Sequence, residues 1–294
     1  MTEKIRNYVS FSEIKTWGDC SYRHWLLYVL GLREFDFSVY TDYGSIVHDA
    51  CENFLETREM NVELAVEKFK SAWAEHEYPY IPEKLRQYPG TPLKKRDYSG
   101  IESWPENWPS YADPEIEYWI DNLTKILSHI PDWLEHEFPG WVLVSAEDEL
   151  NEAIDNSTLV FKGYIDAVIK VKNKSGKDIY WILDWKTSGS RGWSKEKKQD
   201  FFTTSQVVLY KHYWSKKTGV PIKDIRCGYV LLKRDVKKQP CALFKVSAGP
   251  KTVERGLKNL RSMIKMVDEK RRIKNRYSCT YCEFHETDLC KLNI

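Results

Sequence analysis

Gly163-Tyr-Ile-Asp166 and Leu183-Asp-Trp-Lys186, the latter followed by Thr187, lie in two β-rich runs, 159–171 and 180–186, divided by the turn residues Asn173-Lys-Ser-Gly176. With the run 141–153 before them, closed by Asp155-Asn156, they predict a three-strand meander. Side chains alternate faces along a strand, so Asp184 and Lys186 project to one side and Trp185 to the other. Hairpin pairing brings Asp166 of the preceding strand beside Asp184. Neighbouring carboxylates repel unless a cation lies between them, and Mg²⁺ favours such oxygens. A lysine on the same face orients a water and stabilises charge developing on a phosphorus centre. The competing reading is a pair of strand-edge acids neutralised by one lysine, because Asp-x-Lys alone is common.

Working outward, Ser10-Phe-Ser-Glu13 has the spacing of a capping box, and the apolar positions after it predict a helix over 11–30, broken near Gly18. Further helices are expected over 43–58 and 62–76. The stretch 79–114 holds seven of the twelve prolines and is expected to be a long irregular insertion. Residues 114–137 return to helix, interrupted at Pro131. Beyond the meander the pattern predicts an amphipathic helix over 201–217, strands near 225–233 and 241–247, and a helix over 251–271. The order describes a single α/β (α+β) domain: a mainly helical part to residue 140, a core over 141–250, and a helix with a cysteine cluster over 251–294.

The 294 residues carry 45 Lys+Arg against 43 Asp+Glu, so no overall basic charge advertises a nucleic-acid partner. Aromatic residues at 14% exclude a disordered solvating chain. No apolar run reaches the length of a membrane span, and residues 1–8 lack a signal-peptide core, so a cytoplasmic protein without membrane contact is expected.

Seven cysteines without a secretion signal imply thiols or metal ligands rather than disulfides. Cys51, Cys227 and Cys241 sit in apolar patterns and read as small buried hydrophobes. Cys279, Cys282 and Cys290 form a Cys-x₂-Cys-x₇-Cys cluster that lacks a fourth ligand. His285 completes a local Cys₃His set for zinc with Cys279, Cys282 and Cys290, although its gap is shorter than in a zinc knuckle.

Asp166, Asp184 and Lys186 fit the PD-(D/E)xK nuclease pattern, and their surroundings resemble its RecB/Cas4-type branch. Gly44-Ser-Ile-Val-His48 resembles that branch's metal-binding histidine motif, and Gln206-Val-Val-Leu-Tyr210 its Gln-x-x-x-Tyr motif. Ser10 to Cys20 resembles its N-terminal segment, which ends in a lone cysteine. The resemblance runs in family order from residue 10 to 290 and implies a restriction-endonuclease-like core with a mixed sheet flanked by helices. It implies Mg²⁺ or Mn²⁺ held by His48, Asp166, Asp184 and an acid on the strand before Asp166. Glu147 and Glu149 both qualify, and spacing favours Glu147. It further implies that Gln206 and Tyr210 hold DNA, and that Cys20, Cys279, Cys282 and Cys290 bind a [4Fe–4S] cluster.

Local basic runs (195–199, Lys233-Arg234, Lys237-Lys238 and 265–276) offer strand-guiding contacts, and Trp185, Trp193, Phe201 and Phe202 are candidates to stack on bases. The sequence thus leads to a metal-dependent DNA nuclease, an exonuclease by resemblance, acting on free-ended or single-stranded DNA in a bacterial or phage-infected cell. Helicase or recombination proteins are its expected partners. The rival readings are a non-catalytic DNA-binding or assembly subunit that keeps the fold, and a sequence-specific endonuclease.

Overall fold

A computed structural model describes residues 6–32, 38–76 and 113–291. The elements are β1 (Tyr8–Ser10), α1 (Phe11–Asp19), α2 (Ser21–His24) continued by a π-helical turn (Trp25–Val29), α3 (Val39–Thr57), α4 (Val62–His76), α5 (Asp113–Glu137), β2 (Val142–Ala153), β3 (Val160–Lys172), β4 (Asp178–Ser188), α6 (Lys195–Gln199), α7 (Phe201–Thr218), β5 (Ile225–Lys233), β6 (Cys241–Val246) and α8 (Pro250–Asp268). The meander, the two later strands and most helices fall where the sequence places them. Apart from the start of α5, the expected insertion over 79–114 lies outside the described residues.

The sheet is mixed and six-stranded. β2 runs antiparallel along one edge of β3 from Val160 to Lys170. The other edge of β3 is shared: antiparallel β4 pairs with Ala167–Lys172, and parallel β1 pairs with Val160–Lys162. β5 joins β4 in parallel, which requires a crossover, and α6 and α7 supply it. β6 closes the sheet antiparallel to β5.

Each face of the sheet has its own core. One, built on Tyr43, Val47, Phe54, Phe69, Trp119 and Leu127, lies under α3–α5 and receives Ala167, Ile169, Leu183 and Trp185 from the sheet. The other lies under α1, α7 and α8 and receives Phe161, Ile165, Val168, Ile182 and Tyr229. Alternation along β4 is therefore regular, with Trp185 facing α3–α5.

Local expectations needed correction. The first helix breaks at Cys20, which is extended (φ −162°), rather than at Gly18. Gly18 instead admits the Phe202 ring, since a Cβ there would meet it at 2.4 Å. The capping box is half formed: Ser10 Oγ accepts from the Glu13 amide, whereas the Glu13 carboxylate turns inward to Arg6 and His24. α5 runs unbroken through Pro131, because its buried stripe Leu123, Ile126, Leu127, Ile130 and Leu134 spans the proline and packing offsets the lost hydrogen bond. α7 is buried around most of its surface rather than amphipathic, because it is held between the sheet and α8. β1 and α6, three and five residues long, are too short to show a period.

Candidate active site

β3 and β4 pair only as far as Ala167 and Leu183. Beyond that point the strands part, and the fork between them leaves the inward main-chain groups of Trp185 without a strand partner. Two site side chains take them up. Asp166 Oδ2 accepts from the Trp185 amide at 2.6 Å, and His48 Nε2 lies 2.9 Å from the Trp185 carbonyl. A contact to a carbonyl requires Nε2 to carry the proton, which leaves the Nδ1 lone pair free. Nδ1 faces Asp166 Oδ2 at 3.4 Å. Burial, then the nearby Lys186 charge, pushes the His48 pKa down, so the neutral ring is favoured.

His48 comes from α3, placed by burial of Tyr43, Val47 and Cys51 along one stripe of that helix. Glu147 joins it because β2 changes face at this point. Ala146 packs with the core under α3–α5, whereas Asp148 bonds Trp214 Nε1 of α7 at 3.0 Å. The reversal is made at Glu147, whose φ is +43°, in the left-handed region that costs an L-residue about 1–2 kcal/mol. His48, Glu147 and Asp166 each bring one ligand atom into a group whose members lie within 4.8 Å of one another. Glu149, the other candidate acid, points elsewhere: it accepts from Tyr164 Oη and pairs with Lys162. Glu147→Gly is expected to be about 1 kcal/mol more stable than Glu147→Ala, since only glycine adopts this φ without strain. Urea unfolding of the two variants measures the difference.

Asp184 is 1% exposed. Its charge partner is Lys186, with Nζ 2.5 Å from Oδ2. Burial raises the Asp166 pKa well above the carboxylate range, and the Asp184 charge adds to this. Glu147 is raised too, by burial and then by Glu52 and Asp184. Burial alone would lower the Lys186 pKa, but Asp184 and Asp166 outweigh it and raise it. Three acids thus face one lysine and a neutral imidazole, a donor set that suits a hard divalent cation.

α7 closes the site from the other face. Gln206 Nε2 donates to Tyr210 Oη at 3.1 Å, and the Tyr210 ring is buried. Gly163 makes room for it, because a Cβ there would lie 2.8 Å from the ring and 3.2 Å from Oη. The glycine of Gly163-Tyr-Ile-Asp166 is thereby explained as a packing requirement. Gly163→Ala is expected to cost about 1–3 kcal/mol through overpacking. Shortening Tyr210 in the same protein should recover part of that loss, which a double-mutant cycle on unfolding free energies would show.

Some expected nucleic-acid contacts are otherwise engaged. Trp185 and Trp193 are buried, and Phe202 packs on Gly18. Arg234 lies over the rings of Trp119, Tyr40 and Tyr43, at 4.6, 5.1 and 5.7 Å from their centres. Two residues on β3 next to the site, the half-buried Lys162 and the exposed Tyr164, belong to no expected contact, although the spacing Lys162, Tyr164, Asp166 is plain in the sequence.

At the other end, Cys20, Cys279, Cys282 and Cys290 line one small cavity, together with His285. The segments are laced by main-chain and side-chain bonds. Ser21 Oγ accepts from the Ile273 amide at 2.8 Å, the Asn275 amide donates to Cys20 Sγ at 3.4 Å, and Ser278 Oγ donates to the Asp19 carbonyl at 2.7 Å. Among the described residues, only the His48 group has three ligand atoms mutually within 4.8 Å. These thiols and His285 are therefore spread more widely than tetrahedral zinc at about 2.3 Å would draw them. Cys51, Cys227 and Cys241 are buried thiols, as expected, and burial pushes Cys227 and Cys241 up to about 12.

The mixed six-stranded sheet flanked by helices is consistent with a PD-(D/E)xK core. The family profile described as the PD-(D/E)XK nuclease superfamily matches residues 8–290, and this chain belongs to that superfamily. A crystal structure from Eubacterium rectale, named "Putative exonuclease", is similar in fold: TM-score 0.55, 12% identity, 98% of this chain and 91% of that one. The crystal structure of SSO0001 overlaps less, with TM-score 0.33, 18% identity, 59% of this chain and 69% of that one. No curated protein matches the sequence. Among the described residues no helix is long and apolar enough to cross a membrane.

Proposed function

We propose that this nuclease is a Mg²⁺- or Mn²⁺-dependent deoxyribonuclease of the RecB/Cas4 type that degrades DNA from an end. The carrying observation is the strand fork, where His48, Glu147, Asp166, Asp184 and Lys186 converge. His48 Nδ1 and the carboxylates of Glu147, Asp166 and Asp184 would hold the metal, which supplies charge stabilisation at the scissile phosphate and a more acidic water. Lys186 orients the attacking water and answers charge that develops on the phosphoryl oxygens. Asp166, held by the Trp185 amide, fixes the register of β3 against β4. Gln206, positioned by Tyr210, contacts the DNA strand.

The four cavity-lining cysteines are assigned to a [4Fe–4S] cluster, whose larger cube suits their spread better than zinc does. The chain acts as one nuclease domain on cytoplasmic DNA with a free end or single-stranded character, in repair, recombination or phage DNA processing, beside helicase or recombination partners. Three acids sharing a single lysine have no use in a purely structural subunit, which favours the enzyme over the non-catalytic reading.

The test incubates the purified protein with end-labelled single- and double-stranded DNA, linear and circular, in Mg²⁺, Mn²⁺ or EDTA. Loss of linear substrate from the end, only with metal, is expected. Intact DNA under every metal condition would overturn the proposal.

A further inference from the structure

The sheet face that α3–α5 cover ends at Asp166 and Glu147, and among the described residues the same face is open to solvent beyond them at Tyr164 and Tyr8. Phe161 and Ile165 point to the α7 side and Gly163 meets Tyr210 there, so Lys162, Tyr164 and Asp166 point the other way. Tyr164 is 46% exposed, and Tyr8, on β1 opposite Val160, is 47% exposed. Lys162 lies between them, with Nζ 5.7 Å from the centre of the Tyr164 ring and 5.9 Å from that of Tyr8. From Asp166 the order is Tyr164 and Lys162, in steps of about 7 Å along β3, and then Tyr8 on the neighbouring β1 at the level of Val160.

From this arrangement we infer that Tyr164, Lys162 and Tyr8 form a track for single-stranded DNA leading to the site, with bases stacked on the two tyrosines and a phosphate on Lys162. The inference rests on the nuclease reading and adds to it the class of substrate and the residues that select it. Two exposed aromatic rings flanking a cation match the combination that binds unpaired nucleotides: every base has a π-face, and every linkage has a charge. A paired duplex keeps its bases inside and offers nothing to the rings. The strip is continuous with the catalytic acids, so a strand lying on it delivers its next phosphodiester to the fork. Lys162 is paired with Glu149 at 3.3 Å, and both side chains are solvent-accessible. A phosphate therefore takes the place of Glu149, and that carboxylate tunes how tightly the strand is held.

The test measures binding of a fluorescent oligo(dT) and a blunt duplex of equal length to cleavage-deficient Asp184→Asn protein over a range of salt. Tyr164→Ala and Tyr8→Ala should each weaken oligo(dT) binding about tenfold and leave duplex binding unchanged. Tyr164→Phe should bind as the parent does, because the ring is kept. Lys162→Gln should lower the slope of log K against log salt by about 0.7, one phosphate's worth for a single strand. Glu149→Gln should tighten binding. Parent-like affinity and salt slope in the tyrosine-to-alanine and lysine variants would overturn the track while leaving the nuclease reading intact. Failure of the Asp184→Asn protein itself to bind either DNA would count against the nuclease reading and remove the track with it.

Discussion

Lys186→Ala should abolish DNA cleavage, by about a thousandfold or more, and should also make the protein dependent on divalent metal for its stability. Both effects come from charge balance in the fork. Asp166, Asp184 and Glu147 share one ammonium group, and its nearest contact is 2.5 Å from Asp184 Oδ2. Removing it leaves buried carboxylates that only protonation or a cation can relieve. Breaking a buried pair costs about 3–5 kcal/mol, and a third of the Lys186 side chain is exposed, so about 1–3 kcal/mol is expected in EDTA. Mg²⁺ should restore more stability to this variant than to the parent, because it binds the folded acids and not the unfolded chain. Asp184→Asn should lose cleavage equally while keeping its melting temperature in EDTA nearly unchanged, since Lys186 retains Asp166 and Glu147. Single-turnover cleavage and thermal melts with and without Mg²⁺ separate these outcomes. Undiminished cleavage in both variants would remove the site assignment.

If the four cysteines hold the proposed [4Fe–4S] cluster, Cys20→Ser should strip the iron and release the C-terminal segment. A cluster held by Cys20 and the three late cysteines closes a loop of about 250 residues, and a cross-link of that span is worth about 5 kcal/mol on the chain-entropy account. The hydrogen bonds between residues 19–21 and 273–278, with the bidentate contact of Arg23 to Glu283, hold the two segments weakly without it. The variant is therefore expected to fold its sheet but to lose amide protection over 273–291. Anaerobically purified parent should be brown with absorbance near the visible iron–sulfur bands, and hydrogen exchange should show the difference. A colourless parent holding one zinc would refute the cluster assignment.

Much of this site is legible in the sequence, for a physical reason. Asp184, Trp185 and Lys186 sit on a strand whose period of two assigns faces without tertiary information, and Trp185 does turn into the core while its neighbours meet. Helix α4 and strand β5 are regular over their whole length, and both span the residues that their patterns predict. What escapes a reading of the sequence depends on contacts distant along the chain. Glu147 and Glu149 are equivalent by alternation, and only the reversal of β2 at φ +43° separates them. Pro131 predicts a break that the long buried stripe of α5 overrides. Trp193 looks like a stacking residue until β5 and β6 surround it with Tyr229 and Phe244. Tyr8 belongs to a three-residue strand that exists only because β3 offers it an edge.

The parting of β3 and β4 has one more consequence. His48 and Asp166 are both anchored to the peptide groups of Trp185, so the anchor is indifferent to which side chain residue 185 carries. That side chain answers only to the hydrophobic interior. The chemistry and the packing at this position are thus decoupled: the interior can drift by substitution while the catalytic geometry is inherited unchanged. Proline is the exception, because it lacks the amide proton on which Asp166 depends. A saturation library at residue 185 should therefore sort by bulk and polarity for folding, while proline alone loses the site for a reason unrelated to fit.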